Sequence, residues 1–162
     1  MTAPIASATT IWKLDPSHST VEFSARHMMF TTVKGRFGDV EGTVTANGDA
    51  PEAAVVEVTV KAASIDTRVE QRDAHLRSAD FLDVDSFPEL TFTSTRIAGT
   101  DAHFSMTGNL TIRGVTKLVT LDVIYDGSGT DPWGGERKGF SADGKIDRRE
   151  FGLTWNQALE AG

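Results

Sequence analysis

The sequence predicts a single all-β domain, an antiparallel barrel with an apolar interior, on three observations. Apolar and polar residues alternate with period two through run after run, the mark of strands with one wet and one dry face. Turn-forming residues stand between the runs. The chain has 162 residues and no cysteine, and a domain of that size buries enough surface to need no disulfide or metal staple.

Taken in order, residues 1–10 read as a flexible arm and residues 11–162 as the folded domain. Val21, Phe23, Ala25 and His27 share one face of the first clear strand, and Glu22, Ser24, Arg26 and Met28 the other. Val56, Val58 and Val60 alternate with Glu57, Thr59 and Lys61. Between residues 64 and 82 the alternation stops. There Thr67 and Glu70 have capping-box spacing, with Val69 and Leu76 on neighbouring turns, which predicts one or two short helices around residues 67–83. Pro88 marks the return to extended chain. Leu90, Phe92 and Ser94 then alternate with threonines, and Phe104, Met106, Gly108, Leu110 and Ile112 with Ser105, Thr107, Asn109 and Thr111. Val119, Leu121, Val123 and Tyr125 share a face, as do Phe140, Ala142 and Ile146. Asn47-Gly48-Asp49, Gly99-Thr100-Asp101, Arg113-Gly114 and Asp126-Gly-Ser-Gly129 supply residues that tolerate positive φ. Residues 127–138, with glycines, Trp133 and charges, read as a long surface loop.

These runs amount to about seven or eight strands at hairpin-like spacing, which fits a barrel or a sandwich. A closed barrel removes its own sheet edges. About eight strands is also the size at which a barrel interior holds one small ligand. The inward faces carry Phe, Met, Val, Leu and Tyr, with His27 the main polar exception.

Charge narrows the partners. A formal net charge of -7 opposes phosphate backbones and anionic membrane surfaces, so nucleic acid is not an expected partner. No apolar run approaches the roughly 20 residues of a membrane span, so no integral membrane segment is expected. The first ten residues lack the basic and apolar regions of a secretory signal, and the expected location is cytoplasmic.

The chemistry candidates are few. The histidines His18, His27, His75 and His103 show no metal-ligand spacing, and no metal site or resident cofactor is expected. There is no Gly-x-Ser-x-Gly, no Gly-rich phosphate loop and no His-Glu-x-x-His, so no catalytic residue is assigned. Arg72-Asp73-Ala74-His75 reads as a charged helix. Asp147-Arg148-Arg149-Glu150 reads as a salt-bridged turn.

Several strings together resemble the YceI-like family of polyisoprenoid-binding proteins. They are Asp15-Pro-Ser-His-Ser-Thr-Val-Glu-Phe23 with His27, Val33-Lys-Gly-Arg-Phe37 and Ser64-Ile-Asp-Thr67. Arg72-Asp-Ala-His-Leu76, Asp80-Phe81, Phe87-Pro88, Gly108-Asn-Leu-Thr-Ile-Arg-Gly-Val-Thr116 and Arg148-Arg-Glu-Phe-Gly152 complete the set, in order across nearly the whole chain. The resemblance implies an extended, lipocalin-like, eight-stranded antiparallel barrel with a long internal pocket. It implies an amphiphilic ligand, a polyisoprenoid or a fatty-acyl derivative, held for transport, storage or sequestration, and a homodimer. Relatives often carry an N-terminal export signal, which these first residues do not resemble.

The alternation independently turns Phe23, His27, Phe92, Met106, Leu121, Val123 and Phe140 inward, and these are the expected ligand contacts. Phe37, Phe81 and Trp155 are added to them. His27, then Arg72, are the candidate head-group anchors, because apolar cavities orient their ligands with a few placed polar groups. Two rival readings are an enzyme acting on a lipid or isoprenoid-quinone substrate, with His27 or His75 as general base, and an interaction domain whose core is filled.

Overall fold

The computed structural model describes residues 9–27, 30–48, 50–100 and 102–155, and the side chain of His27 lies outside that description. The strands in chain order are β1 (Thr9–Lys13), β2 (Val21–His27), β3 (Thr31–Phe37), β4 (Val40–Asn47), β5 (Val55–Lys61) and β6 (Ile65–Asp66). Helix α1 (Glu70–Arg77) follows, then β7 (Glu89–Thr100), β8 (His103–Ile112), β9 (Val115–Thr130) and β10 (Glu136–Asp143). Short 3₁₀ turns lie at Pro51–Ala53, Ala62–Ser64 and Arg148–Phe151.

Seven strands form one curled antiparallel sheet in the order β1-β4-β5-β7-β8-β9-β10, and β2-β3-β6 form a second, three-stranded sheet. The antiparallel, barrel-like architecture is the one the sequence predicts; the strand count and the closure differ. With every neighbour antiparallel, seven strands leave the two edge strands, β1 and β10, running in the same direction. They cannot complete an antiparallel ladder with each other. The β2–β3 hairpin faces the interior instead, through Val21, Phe23, Gly35 and Phe37.

The predicted dry faces of β5, β7, β8 and β9 are the observed ones, whereas Phe140 and Ile146, expected to share another, are 54% and 45% exposed. Phe92, Phe104, Met106 and Val123 form one buried cluster, with Val56, Val58, Leu121 and Tyr125 packed against it. A second cluster of Phe37, Val40, Val60, Ile65, Leu82, Ile112, Phe151 and Leu153 fills one end of the curl. Arg113 and Gly114, both at positive φ, make the two-residue turn that joins β8 to β9.

Local differences have physical causes. Thr9 and Thr10, assigned to the arm, begin β1 opposite Asn47 and Ala46, while residues 1–8 lie outside the described residues. The strands β3 and β4 show little alternation because small residues, Gly35, Gly42 and Ala46, stand where larger apolar ones would reveal it, and β1 hides its pattern by setting an exposed Ile11 beside the half-buried Trp12. Gly42 on β4 is an example: a Cβ there would lie 2.8 Å from the Glu57 carbonyl oxygen, besides meeting the Leu14 side chain, and the backbone cannot give way as a side chain can. Residues 127–138 are not a long loop. β9 and β10 continue as a ladder through Thr130↔Glu136, and only residues 131–135 turn. Glycine, serine and charged residues exposed on that extension hide its strand character.

The capping box is also absent. α1 begins at Glu70 behind Val69, with no side-chain cap. Thr67 is buried instead, and both its amide and its hydroxyl donate to Asp73, itself buried. The helix is thus pinned to β6 from within its first turns, which satisfies a carboxylate that would otherwise be costly to bury.

Candidate functional site

The curl of the large sheet encloses a trough of about 3440 Å³, partly open to solvent. Its depth is set by side-chain size. Phe37, Val40, Val60 and Ile112 line it where the packed end begins, and Phe92, Met106, Leu121 and Val123 line its middle. Trp12, Tyr125 and Phe140 line it toward the β1 and β10 edges. Tyr125 and Phe140 face each other across the β9–β10 ladder, with ring centroids 5.2 Å apart.

Of the residues predicted as ligand contacts, Phe23, Phe37, Phe92, Met106, Leu121, Val123 and Phe140 all line this trough. His27 closes β2 opposite Thr31, and its side chain lies outside the described residues. Arg72, Phe81 and Trp155 are not brought to the trough. Arg72 donates to the Thr67 hydroxyl and carbonyl, both at 2.8 Å, and so serves the α1 network. Phe81 and Trp155 meet the His75 ring edge to face, with centroids 5.1 and 4.5 Å away, and His75 pairs with Asp80 at 2.8 Å. That cluster clamps residues near the C-terminal end of the described chain onto α1, apart from the trough wall. Short motifs gave these three residues no fixed orientation, so sequence could not place them. Trp12, Val44, Val56, Val58, Phe104 and Tyr125 also line the trough. For most of them alternation held the signal; Trp12 and Val44 sit on strands too weakly patterned to show it.

Among the described residues no cluster of three or more His, Asp or Glu side chains could hold a metal ion. Among the same residues no helix is long and apolar enough to cross a membrane.

The seam between the two edge strands is joined by side chains. Arg137 of β10 meets Asp15, just past β1, at 2.7 Å and Asp131 of its own hairpin at 3.2 Å. The Lys138 ammonium lies over the Trp12 ring, 4.7 Å from its centroid. The His18 ring, the Ser17 amide and Arg137 hold the Asp15 carboxyl below its ordinary range. The Gly135 and Trp133 amides with Arg137 do the same for Asp131. Both groups have depressed folded values, so their stabilising effect is present above the ordinary carboxylate range and is lost as pH falls through the depressed values. The expected result is a small stability gap between wild type and the Asp15→Asn, Asp131→Asn double variant at neutral pH, small because exposed ion pairs contribute little. Thermal melts from pH 7 downward check it: the gap closes below about pH 4. A gap that grows on acidification contradicts this account.

Comparison with known proteins bears on what the trough does. The model of the YceI-like domain family matches residues 12–162. Protein YceI from Salmonella newport is 45% identical over 145 residues, covering 88% of this chain and 76% of that protein. Its counterpart from Salmonella arizonae matches to the same extent, at 45% identity over 145 residues. The crystal structure of the Campylobacter jejuni YceI protein superposes with a TM-score of 0.70 at 36% identity, covering 86% of this chain and 82% of that one. Burkholderia cenocepacia BcnA superposes with a TM-score of 0.77 at 23% identity, over 88% of this chain and 86% of the other, and shows the same fold.

Proposed function

We propose that this chain, which belongs to the YceI-like domain family, is a carrier that holds a long-chain amphiphile, a polyisoprenoid or a fatty-acyl derivative, along its trough. Family membership and the barrel-like fold fit a hydrophobic ligand-binding role. The single observation that supports the carrier reading is the trough itself: about 3440 Å³, lined mainly by apolar side chains from both sheets, with charged residues among them, and stopped at one end by a packed core. Such a shape suits a chain better than a compact molecule. Each CH₂ removed from water contributes about 0.8 kcal/mol before ordering costs are subtracted.

Native mass spectrometry of the purified protein, followed by lipid extraction, tests this. A bound mass in the range of a long-chain lipid, recovered in the organic phase, is the expected result. Protein that carries no amphiphile, and that after delipidation takes up neither polyprenyl nor fatty-acyl probes, overturns it.

A further inference from the structure

Resting on the carrier reading, we infer that Lys138 and Tyr125 form a head-group site, and that the trough selects amphiphiles with an anionic head, a carboxylate or phosphate monoester, over neutral ones. Polar groups interrupt the apolar trough wall toward the β9–β10 edge: Asp122, Asp126 and Glu136 line it beside Lys138 and Tyr125, and the Asp126 carboxylate accepts from the Ser141 hydroxyl. Lys138 lines the trough, and its ammonium sits over the face of Trp12. Among the described residues no carboxylate pairs with it, although Glu136 stands two positions earlier on the same strand. Tyr125 is half-buried on the opposite strand, its ring against Phe140. Its hydroxyl has no hydrogen-bond partner among the described residues.

Register places these groups together. Phe140 faces Tyr125; Lys138 faces Ser128 across a bulge between Gly139 and Phe140, about 7 Å along β10 from Phe140, and both Lys138 and Tyr125 line the trough. The neighbouring cation, Arg137, is already committed to Asp15 and Asp131. An ammonium with a free hydrogen-bonding capacity and a phenol O–H are both donors, and together they suit an acceptor-only head. Trp12 holds the ammonium by a cation–π contact that an arriving anion does not have to break. From Tyr125 the inward positions of β9 run through Val123, Leu121 and Val119 toward the packed end, so a tail anchored here lies along the trough. The net charge of -7 makes a fixed local cation the means of accepting an anion.

The experiment uses the delipidated full chain loaded with N-phenyl-1-naphthylamine, a neutral fluorescent probe. Hexadecanoate, hexadecyl phosphate and hexadecanol are then compared as displacers. The two anions are expected to displace the probe at about tenfold lower concentration than the alcohol, and their ranking tells carboxylate from phosphate. Lys138→Met and Tyr125→Phe should each reduce that preference to within about threefold, and Lys117→Met, a change at an exposed β9 lysine outside the trough lining, should keep it. Equal displacement by all three ligands in the wild type overturns the inference and leaves the carrier reading standing. A preference that survives Lys138→Met, or disappears in Lys117→Met, also overturns it. Failure of the wild type to bind the probe or any of the three ligands overturns the carrier reading and the inference with it.

Discussion

Replacing Phe151 with alanine is expected to cost about 3–5 kcal/mol of stability. Phe151 is fully buried, at 0% exposure, inside the cluster that stops one end of the trough. Its position is tightly determined. Asp147 accepts the Arg149 amide at the head of the Arg148–Phe151 turn, and Gly152, at φ 79°, closes it in the left-handed region. The Arg148 guanidinium then donates to the Leu153 and Trp155 carbonyls at 3.1 and 2.9 Å. A site held this firmly collapses poorly onto a missing ring, which places the loss toward the upper end of the range for such cavities. Phe140→Ala is the comparison, since that ring is 54% exposed and lies along the open trough, and its loss should stay below about 1 kcal/mol. Urea titration reads both. The midpoint for Phe151→Ala should fall steeply at an unchanged slope, because the surface exposed on unfolding is nearly the same. Similar losses for the two variants would contradict the division into a packed end and an open trough.

Leu121→Glu should have the largest effect on binding. Leu121 stands midway along the trough on β9, opposite Met106, and is only half-buried. A carboxylate there reaches trough water in the empty protein, so the fold survives with a melting temperature within a few degrees of wild type. With a chain bound, that carboxylate must be desolvated against CH₂ groups or the chain must leave. A penalty of about 3 kcal/mol, modest for an unpaired charge, corresponds to a loss of more than about 100-fold in affinity. Circular dichroism and probe displacement on the same sample separate the two effects. If Leu121→Glu unfolds the protein, the interior is a filled core and the interaction-domain reading gains.

How much was legible beforehand follows from what each signal is made of. Alternation is a local property of the pleat, with side chains pointing to opposite faces at period two. Phe92, Met106, Leu121 and Val123 could therefore be turned inward from their neighbours alone, and the structure lines the trough with them. Arg72 could not be read in that way. A cation on a short helix has no alternating neighbours, and its partners, the Thr67 hydroxyl and carbonyl, become available only because Asp73 draws Thr67 inward. Trp155 meets His75 from a distant part of the chain, a contact no local pattern encodes, and Phe81 reaches the same ring from the turns that follow α1.

By itself, then, the amino-acid sequence determined the strongly alternating strands β2, β5, β7, β8 and β9, the dry faces of the last four, the turn at Arg113-Gly114 and the family to which the chain belongs. Those depend on side-chain period, backbone φ and short strings, all of which are local. Tertiary structure alone decided that seven strands curl into one sheet while β2, β3 and β6 form another, that the seam is joined by Arg137, Asp15, Lys138 and Trp12, and that one end is packed while the rest stays open. These depend on which sheet edges meet and on how much volume remains between them. Both are properties of distant segments brought together, and no window of the sequence contains them.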